Sequence, residues 1–436
     1  MDPTTADIIG QALADLKRRA PVYTLYRDYY DGDHRLTFAT RKFSNAFGNL
    51  FAAFADNLSS TVVDAAADRL TLTGFVRDSG GSGAVAEAMN LWRRNRMDRR
   101  AGEAHTEALL TGDSYLIVWP NAEGKAVIQP QKAHNVTVGY DDENPGRIIW
   151  AVKIWRVRKQ WRLNLYLPDR VEKWATPESS QSSEMPDRAS AFQEYEIVGE
   201  AWPLPNPYGV VPVFHMANNA GVGEFGRSEL RDVIPLQDAL NKSIADMLVA
   251  QEFVALPQRI ITGWEPEIDP DTGQPRSLPS SVERWTAFAD AGVNVTQLAG
   301  ADLTQFHSTQ DGFRREIAGV SRTPAHFLVP TTGDWPSGEA LKTAESQFIA
   351  KLQDRQVAFG NVWEDAIRFA LVIENVTVED LSAVWTDPTP RSENDMVQRV
   401  KTHVDAGAAY GGALRLVGFS DDQVKMATDF SDTPEM

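Results

Sequence analysis

The chain has 436 residues, 42% of them hydrophobic and 24% charged, enough for a sizeable core and for about three domains. It has no cysteine, which excludes disulfides and thiolate metal sites. Its formal net charge of −17 excludes a protein that grips nucleic acid over its whole surface, because such proteins displace counterions with lysine and arginine.

The first segment, "MDPTTADIIGQALADLKRRA", places acid before base around a short apolar centre, the reverse of a secretory signal. No run of about 18 apolar residues predicts a membrane span, so an intracellular protein without membrane contact is expected. Residues 1–110 read mostly as helix. Phe47, Leu50, Phe51, Phe54, Leu58 and Val62 recur at three- and four-residue spacing, an amphipathic pattern. "GGSG" at 80–83 is a turn, and 84–112 reads as a helix or helix pair ended by Gly112.

From 113 the period changes. "SYLIVWP", "KAVIQP", "NVTVGY", "RIIWAVKIWRV", "WRLNLYLP" and "RVEKWA" are rich in β-branched and aromatic residues and separated by turn signals, an antiparallel meander. The polar stretch 176–190 reads as a mobile loop, and "NPYGVVPVFHM" as one more strand.

A long helix follows, with Leu230, Val233, Leu236, Leu240, Ile244, Met247 and Leu248 as its stripe; Pro235 kinks it or marks its first turn. Its 25 or so residues span about 37 Å. An insertion at 255–302 contains the strand-like "RIITGW" and "VERWTAF", and "DLTQFHSTQDGFRREIAGV" returns as helix. The longest helix, 338–374, carries Leu341, Ala344, Phe348, Leu352, Phe359, Trp363, Ile367 and Leu371, with Gly360 as a kink. The tail from 392 is helical.

The chemical motifs fail one by one. None of the seven histidines pairs with another at the i, i+4 spacing of a helical zinc site. Glu103, His105 and Glu107 read as a solvated helix surface, so no metal is expected. "DPDTGQPRSLPS" has Gln274 where a calcium loop needs glycine and Ser280 where it needs glutamate. "GDSYL" (112–116) is similar to the motif of GDSL esterases, but Ser114 reads more simply as the start of an alternating strand. "GRSEL" (226–230) is half a nucleophile elbow; Ser228 reads as a helix N-cap with Glu229 in the first turn. The acid pairs Asp141–Asp142 and Asp421–Asp422, with 12 tryptophans, keep a carbohydrate-active enzyme as an alternative. In "TTGDWPSGEALKTAE", Gly333 and Gly338 have P-loop spacing, but Glu339 and Ala340 stand where lysine and a hydroxyl residue belong. Glutamate there repels phosphate, and Ser337 reads as the N-cap of the long helix. No catalytic residue and no cofactor are expected.

Several segments in order resemble one family. "LYRDYYDGDHRL", "LWRRNRMDRRAGEAHTEALLTGDSYLIVW", "NPYGVVPVFHMANN … GRSEL", "GVSRTPAHFLVP" with "SGEALKTAE", and "VWTDPTPRSENDMVQRV" are similar to the SPP1-type portal proteins of tailed bacteriophages, in the branch common among phages of actinobacteria. The resemblance implies an α+β portal fold with an α/β wing, a helical stem, a small α/β clip, a long tunnel-proximal helix and a short helical crown. It implies wing at 1–227, stem helices at 228–254 and 303–330 including the exit, clip at 255–302, a long wing helix and return strand at 337–391, and crown at 392–436. Thr331, Thr332, Gly333, Asp334, Trp335 and Pro336 would be the tunnel loop facing DNA, with Ser337, Gly338 and Gly360 as helix cap and hinge. It further implies a homo-oligomeric ring, usually dodecameric, at one capsid vertex of the virion, assembled in the host cytoplasm. Its partners would be the terminase large subunit, the head–tail adaptor, major capsid and scaffold proteins, and double-stranded DNA passing without sequence specificity. No catalysis is implied, since ATP hydrolysis belongs to the terminase. A different virion structural protein is the remaining alternative.

Overall fold

The computed structural model describes residues 1–34, 56–77, 83–178, 183–255, 259–262, 268, 270, 285–288, 303–329, 338–389, 393–417, 419, 424, 426 and 427. Helix α1 (Pro3–Asp31) starts where the Asp2 carboxylate accepts from the Thr5 backbone N–H at 2.9 Å, and ends at Gly32 in the left-handed region. Its residues Ile9, Leu13 and Leu16 fill one core beneath a sheet, and Tyr29 enters a second core farther along. Helix α2 (Leu58–Ala67) is capped by Asn57, whose side chain accepts from Ser59 and Ser60. Of the expected amphipathic stripe, Leu58 and Val62 are buried in α2, and Phe47, Leu50, Phe51 and Phe54 lie outside the described residues.

The helix pair at 84–112 is present as α3 (Gly83–Arg94) and α4 (Met97–Thr111), broken at Arg96 with φ 56° and ended by Gly112 with φ 100°. Between α2 and α3 lies a strand the helical reading missed, β1 (Leu72–Val76). Its antiparallel partner is β13 (Ser382–Trp385), near the other end of the chain.

The expected meander splits into two sheets. Strands β2 (Asp113–Pro120) and β3 (Ala126–Lys132) join β10 (Val213–Ala217) in the order β10-β2-β3, all antiparallel. Strands β4 (Val136–Tyr140), β5 (Ile148–Val157), β6 (Gln160–Tyr166), β7 (Arg170–Ala175) and β8 (Gln193–Glu194) follow in sequential order, with β9 (Leu204–Pro205) also on β7. The alternation expected of β2 does not hold: Asp113 to Val118 are all buried. The reason is packing on both faces. Leu116 and Val118 join the helical core, while Tyr115 and Ile117 join the core under the larger sheet. The polar stretch expected to be a mobile loop is tied down at its end, where Ala189 and Phe192 are buried against α1.

The two long helices of the second half are α5 (Ile234–Ala255) and α6 (Thr304–Ser321). Pro235 sits in the first turn of α5, where its missing N–H costs nothing. Between them, β11 (Arg259–Thr262) and β12 (Trp285–Phe288) pair in parallel. The short α7 (Ala325–Leu328) leads on, and α8 (Gly338–Ile373) runs for 36 residues. Phe348, Leu352, Phe359, Trp363, Ile367 and Leu371 of its expected stripe are buried, each contributing about 1.5–3 kcal/mol. Ala344 is exposed instead, and the buried neighbour is Glu345. The helix continues through Gly360, where an added Cβ would lie 3.2 Å from Nε1 of Trp385. Gly360 thus lets β13 approach the helix. The tail forms α9 (Glu393–Asp405) and α10 (Tyr410–Val417).

Candidate functional site

The α5–α6 pair and its attachment to α8 form the part of the molecule that chemistry singles out. Gln310 of α6 reaches the Met247 sulfur at 3.5 Å, while Arg314 and Asn241 both engage Asp56. Residue numbers rise along α5 as they fall along α6, so the pair is antiparallel. Past its first turns α5 loses its full burial: Ile244, Met247 and Leu248 are half-buried, whereas Leu230, Val233 and Leu240 are fully buried.

The root of the pair is polar. Gln237, Asp238 and Asn241 lie on one face of α5 and are buried, though charged and amide groups rarely are. Each has partners. The Leu58 N–H donates to Oε1 of Gln237 at 3.0 Å and the Asp56 N–H to Oδ1 of Asn241 at 3.2 Å. Asn241 also bonds Nδ1 of His34 at 2.7 Å, and the Tyr29 hydroxyl donates to Asp238. Arg314 brings α6 to the same corner through Asp56 at 2.9 Å. Stripping these groups from water is offset only in this one arrangement, which fixes how the rod leaves the body.

A second anchor joins the rod to α8. The expected N-cap at Ser228 is replaced by a turn. The Leu230 N–H donates to Oγ of Ser228 at 3.0 Å, and the helix itself starts six residues on, at Ile234. Glu229 is accordingly no first-turn acid on the surface. Its side chain is only 8% exposed, 3.0 Å from Nζ of Lys351 and 3.2 Å from Arg355. Lys351 also donates to the Ser321 carbonyl at 2.8 Å, at the end of α6. Burial pushes the Glu229 carboxyl up, but Lys351 and then Arg355 outweigh it and hold the group below its usual range. Burial, and after it the Arg355 and Arg322 charges, pull the Lys351 ammonium down against the opposing pull of Glu229. A polar cleft of about 480 Å³ opens beside the cluster, lined also by Arg322 and Asp354.

A third anchor holds the start of α8. Glu345 is buried, 2.8 Å from Arg69 and 3.1 Å from Nε2 of His326. The Arg69 guanidinium lies 5.4 Å and 5.3 Å from the ring centres of Phe327 and Phe348. Any hinge at the start of α8 therefore has to lie before Glu345. Gly338 begins the helix; Thr331, Thr332, Gly333, Asp334, Trp335, Pro336 and Ser337 lie outside the described residues.

The motif serines carry no catalytic geometry. Oγ of Ser114 is buried and has no hydrogen-bond partner among the described residues. Ser228 donates to the Leu110 carbonyl at 2.5 Å. Of Glu103, His105 and Glu107, only Glu103 is on the solvated surface expected. His105 and Glu107 are buried because α4 is covered on more than one side: Trp363 of α8 donates to Nε2 of His105 at 2.8 Å, and Arg27 of α1 pairs with Glu107. Trp92, Trp150, Trp174 and Trp363 are core residues, not an exposed sugar platform. Among the described residues no three His, Asp or Glu are grouped to hold a metal, and no helix is long and apolar enough to cross a membrane.

An antiparallel-strand body that roots an antiparallel helix pair, with the long helix α8 packed across β2, β3, β10 and β13, is the fold of a portal protein of a tailed bacteriophage. The family model described as "Phage portal protein, SPP1 Gp6-like" matches residues 9–411, and the chain belongs to that family. It is similar to the portal protein of Mycobacterium phage L5, 26% identical over 350 residues that cover 75% of this chain and 68% of that one. It is likewise similar to the portal protein of Mycobacterium phage D29, 27% identical over 360 residues with the same coverage of 75% and 68%. Among solved structures it resembles a chain from the virion of a native gene transfer agent particle, with TM-score 0.44 and 14% identity over 88% of this chain and 95% of that one.

Proposed function

We propose that copies of this chain form a closed ring, a dodecamer, at one capsid vertex, and that DNA is packaged and ejected through its axial hole. The observation that carries this reading is the antiparallel α5–α6 pair, fixed at its root by buried polar partners and less buried farther along α5. In the ring, 228–254 and 303–320 are the stem around the channel, 255–302 the clip that meets the terminase large subunit and later the head–tail adaptor, 1–227 the wing, and 392–436 a short crown. Thr331 to Pro336 face DNA, with Ser337 and Gly338 as cap and hinge. Assembly takes place in the host cytoplasm beside the major capsid and scaffold proteins, and the chain itself performs no catalysis. About twelve subunits of −17 carry roughly −200 charges, so an acidic channel keeps DNA from adhering and lowers the work of the motor.

Cryo-EM class averages of the protein assembled with its capsid and scaffold partners test the reading. A ring with an axial hole and a net negative lining is expected. Assembled heads without such a ring, or a ring with a basic lining, would overturn it. A monomer that hydrolyses glycans would select the enzyme alternative.

A further inference from the structure

The chain is acidic overall, yet one stretch of it contains no acid. From Gly146 to Pro168 there is neither aspartate nor glutamate, while Arg147, Lys153, Arg156, Arg158, Lys159 and Arg162 are all basic. These residues fall on β5, β6 and the turn between them. Arg147 lies 4.0 Å from Asp141. Among the described residues the other five form no ion pair and no side-chain hydrogen bond, in a protein where most other cations are paired. Arg156, Arg158 and Lys159 are exposed, and Lys153 and Arg162 half-buried.

The shape matters as much as the charge. Pairing of β4 with β5 stops at Val136 opposite Lys153, and pairing of β6 with β7 begins at Arg162 opposite Ala175. Beyond Ile154, β5 has β6 as its sole neighbouring strand, down to Val157 opposite Gln160. The hairpin thus ends in a short two-stranded tip, Trp155 to Val157 beside Gln160, turned by Arg158 and Lys159, with Thr176 bonded to Trp161 at its base. On one face Lys153 and Trp155 stand beside Asn164 and Arg162. The Lys153 ammonium lies 4.9 Å from the Trp155 ring centre, and the Arg162 guanidinium 4.5 Å from that of Tyr195.

We propose that this hairpin binds the phosphate backbone of double-stranded DNA without sequence preference. A two-stranded ribbon fits the width of the major groove, and guanidinium forks match phosphate oxygens. From Lys153 to Val157 the strand covers about 13 Å, the length over which one DNA strand presents about four phosphates, with Lys153 and Arg162 on one face and Arg156 on the other. The net charge of the chain does not oppose this. At physiological salt, exposed charges are screened beyond about 8 Å, so a phosphate on the hairpin feels the hairpin and not the distant acids. The Trp155 and Tyr195 rings, against which Lys153 and Arg162 lie, hold those two cations in place at the surface. The inference does not depend on the ring, because the site is complete within one chain.

The test is fluorescence anisotropy of the purified protein with a labelled random-sequence 25-base-pair duplex. With about three phosphates neutralised, affinity should fall about 40-fold between 50 and 200 mM salt. The triple variant R156A/R158A/K159A should bind at least 10-fold more weakly with a flatter salt dependence, and R156K/R158K should keep most of the binding. Arg99→Ala, on the exposed face of α4, should leave binding unchanged. Equal melting temperatures check that folding is intact. Wild-type protein that ignores the duplex at 50 mM salt overturns the proposal, as does a triple variant that binds as well as wild type. A triple variant that keeps DNA binding but loses self-assembly would assign the hairpin to a second copy of the chain instead.

Discussion

Gly226 lies against Gly112 so closely that a methyl group on Gly226 would come within 1.8 Å of the Gly112 carbonyl oxygen. The reverse addition, on Gly112, would meet the Gly226 carbonyl at 2.6 Å, and Gly112 also has φ 100°. Around this crossing the two segments are stitched together. The Asn218 N–H donates to the Gly112 carbonyl at 2.8 Å, the Glu229 N–H to the Leu109 carbonyl at 2.9 Å, and the Gly226 N–H to Oδ1 of Asp113 at 2.7 Å. The segments that read as two separate hydrolase fragments, "GDSYL" and "GRSEL", are the two halves of one structural joint.

Gly226→Ala should therefore cost about 3 kcal/mol or more, because backbone rather than a yielding side chain blocks the methyl group. Chemical denaturation of the soluble fraction checks this. A loss below about 1 kcal/mol would mean that the crossing opens easily. Gly312→Ala, on α6 with nothing near the added carbon, is the control and should be neutral or stabilising.

His105 gives the fold an acid-sensitive point. Its Nδ1 lies 3.0 Å from the Leu70 carbonyl and donates to it, so Nε2 is left to accept the Trp363 indole N–H. A second proton would set two N–H groups against each other. Burial lowers its pKa to about 4, only partly countered by the Leu70 bond. The folded state thus prefers the neutral ring. Its contribution is complete above the free value near 6.5 and is lost as the pH falls towards 4, by about 3 kcal/mol in all. Melting temperatures from pH 7 to 4 should show this slope in the wild type and a shallower one in His105→Asn. Equal slopes would remove His105 as the cause.

Much of the fold is legible in the sequence because period and punctuation are local properties. The long stripe from Phe348 to Leu371, the helix end at Gly112 and the turn role of Pro235 all follow from residues close together in the chain. What stays hidden needs a distant partner. Strand β1 read as part of a helical region because its pairing, Phe75 opposite Ala383, closes across most of the chain. Glu229 read as a first-turn acid, and nothing local marks Glu345, because Lys351, Arg355 and Arg69 are visible as their partners only in three dimensions. The basic hairpin escaped notice for another reason: a net charge of −17 averages away a window of residues with no acid in it. The anchors at the root of the rod were illegible in the same way, since a buried Gln237 has the same letter as an exposed one.

The Glu229 cluster should behave as a unit. Glu229→Ala leaves Lys351 and Arg355 buried without their shared carboxylate and should cost about 3–5 kcal/mol. Replacing all three by methionine removes the unpaired charge and should cost less than that single change. Because the Glu229 carboxyl is held low, the cluster's support is present above the usual carboxylate range and fades as the pH drops below it. Urea denaturation of the single and triple variants decides the matter. A triple variant less stable than Glu229→Ala would show that the cluster stabilises beyond its charge pairing.

The last prediction separates folding from passage of DNA. Asp334 and Trp335 sit between two fixed points, His326 and Glu345, which bond each other at 3.1 Å. Whatever Thr331 to Pro336 do, the described residues on either side are tied together by that contact and by Arg69. Replacing Asp334 and Trp335 by alanine should therefore leave thermal stability and ring assembly unchanged. If the loop meets DNA, the same variant should package or retain less genome per head, read as the ratio of full to empty particles. Glu345→Gln is the informative companion. It weakens the anchor while leaving the loop intact, so it should lower stability by about 1–3 kcal/mol before it affects packaging. Failed assembly in the loop variant, with no packaging defect of its own, would take the loop out of the channel.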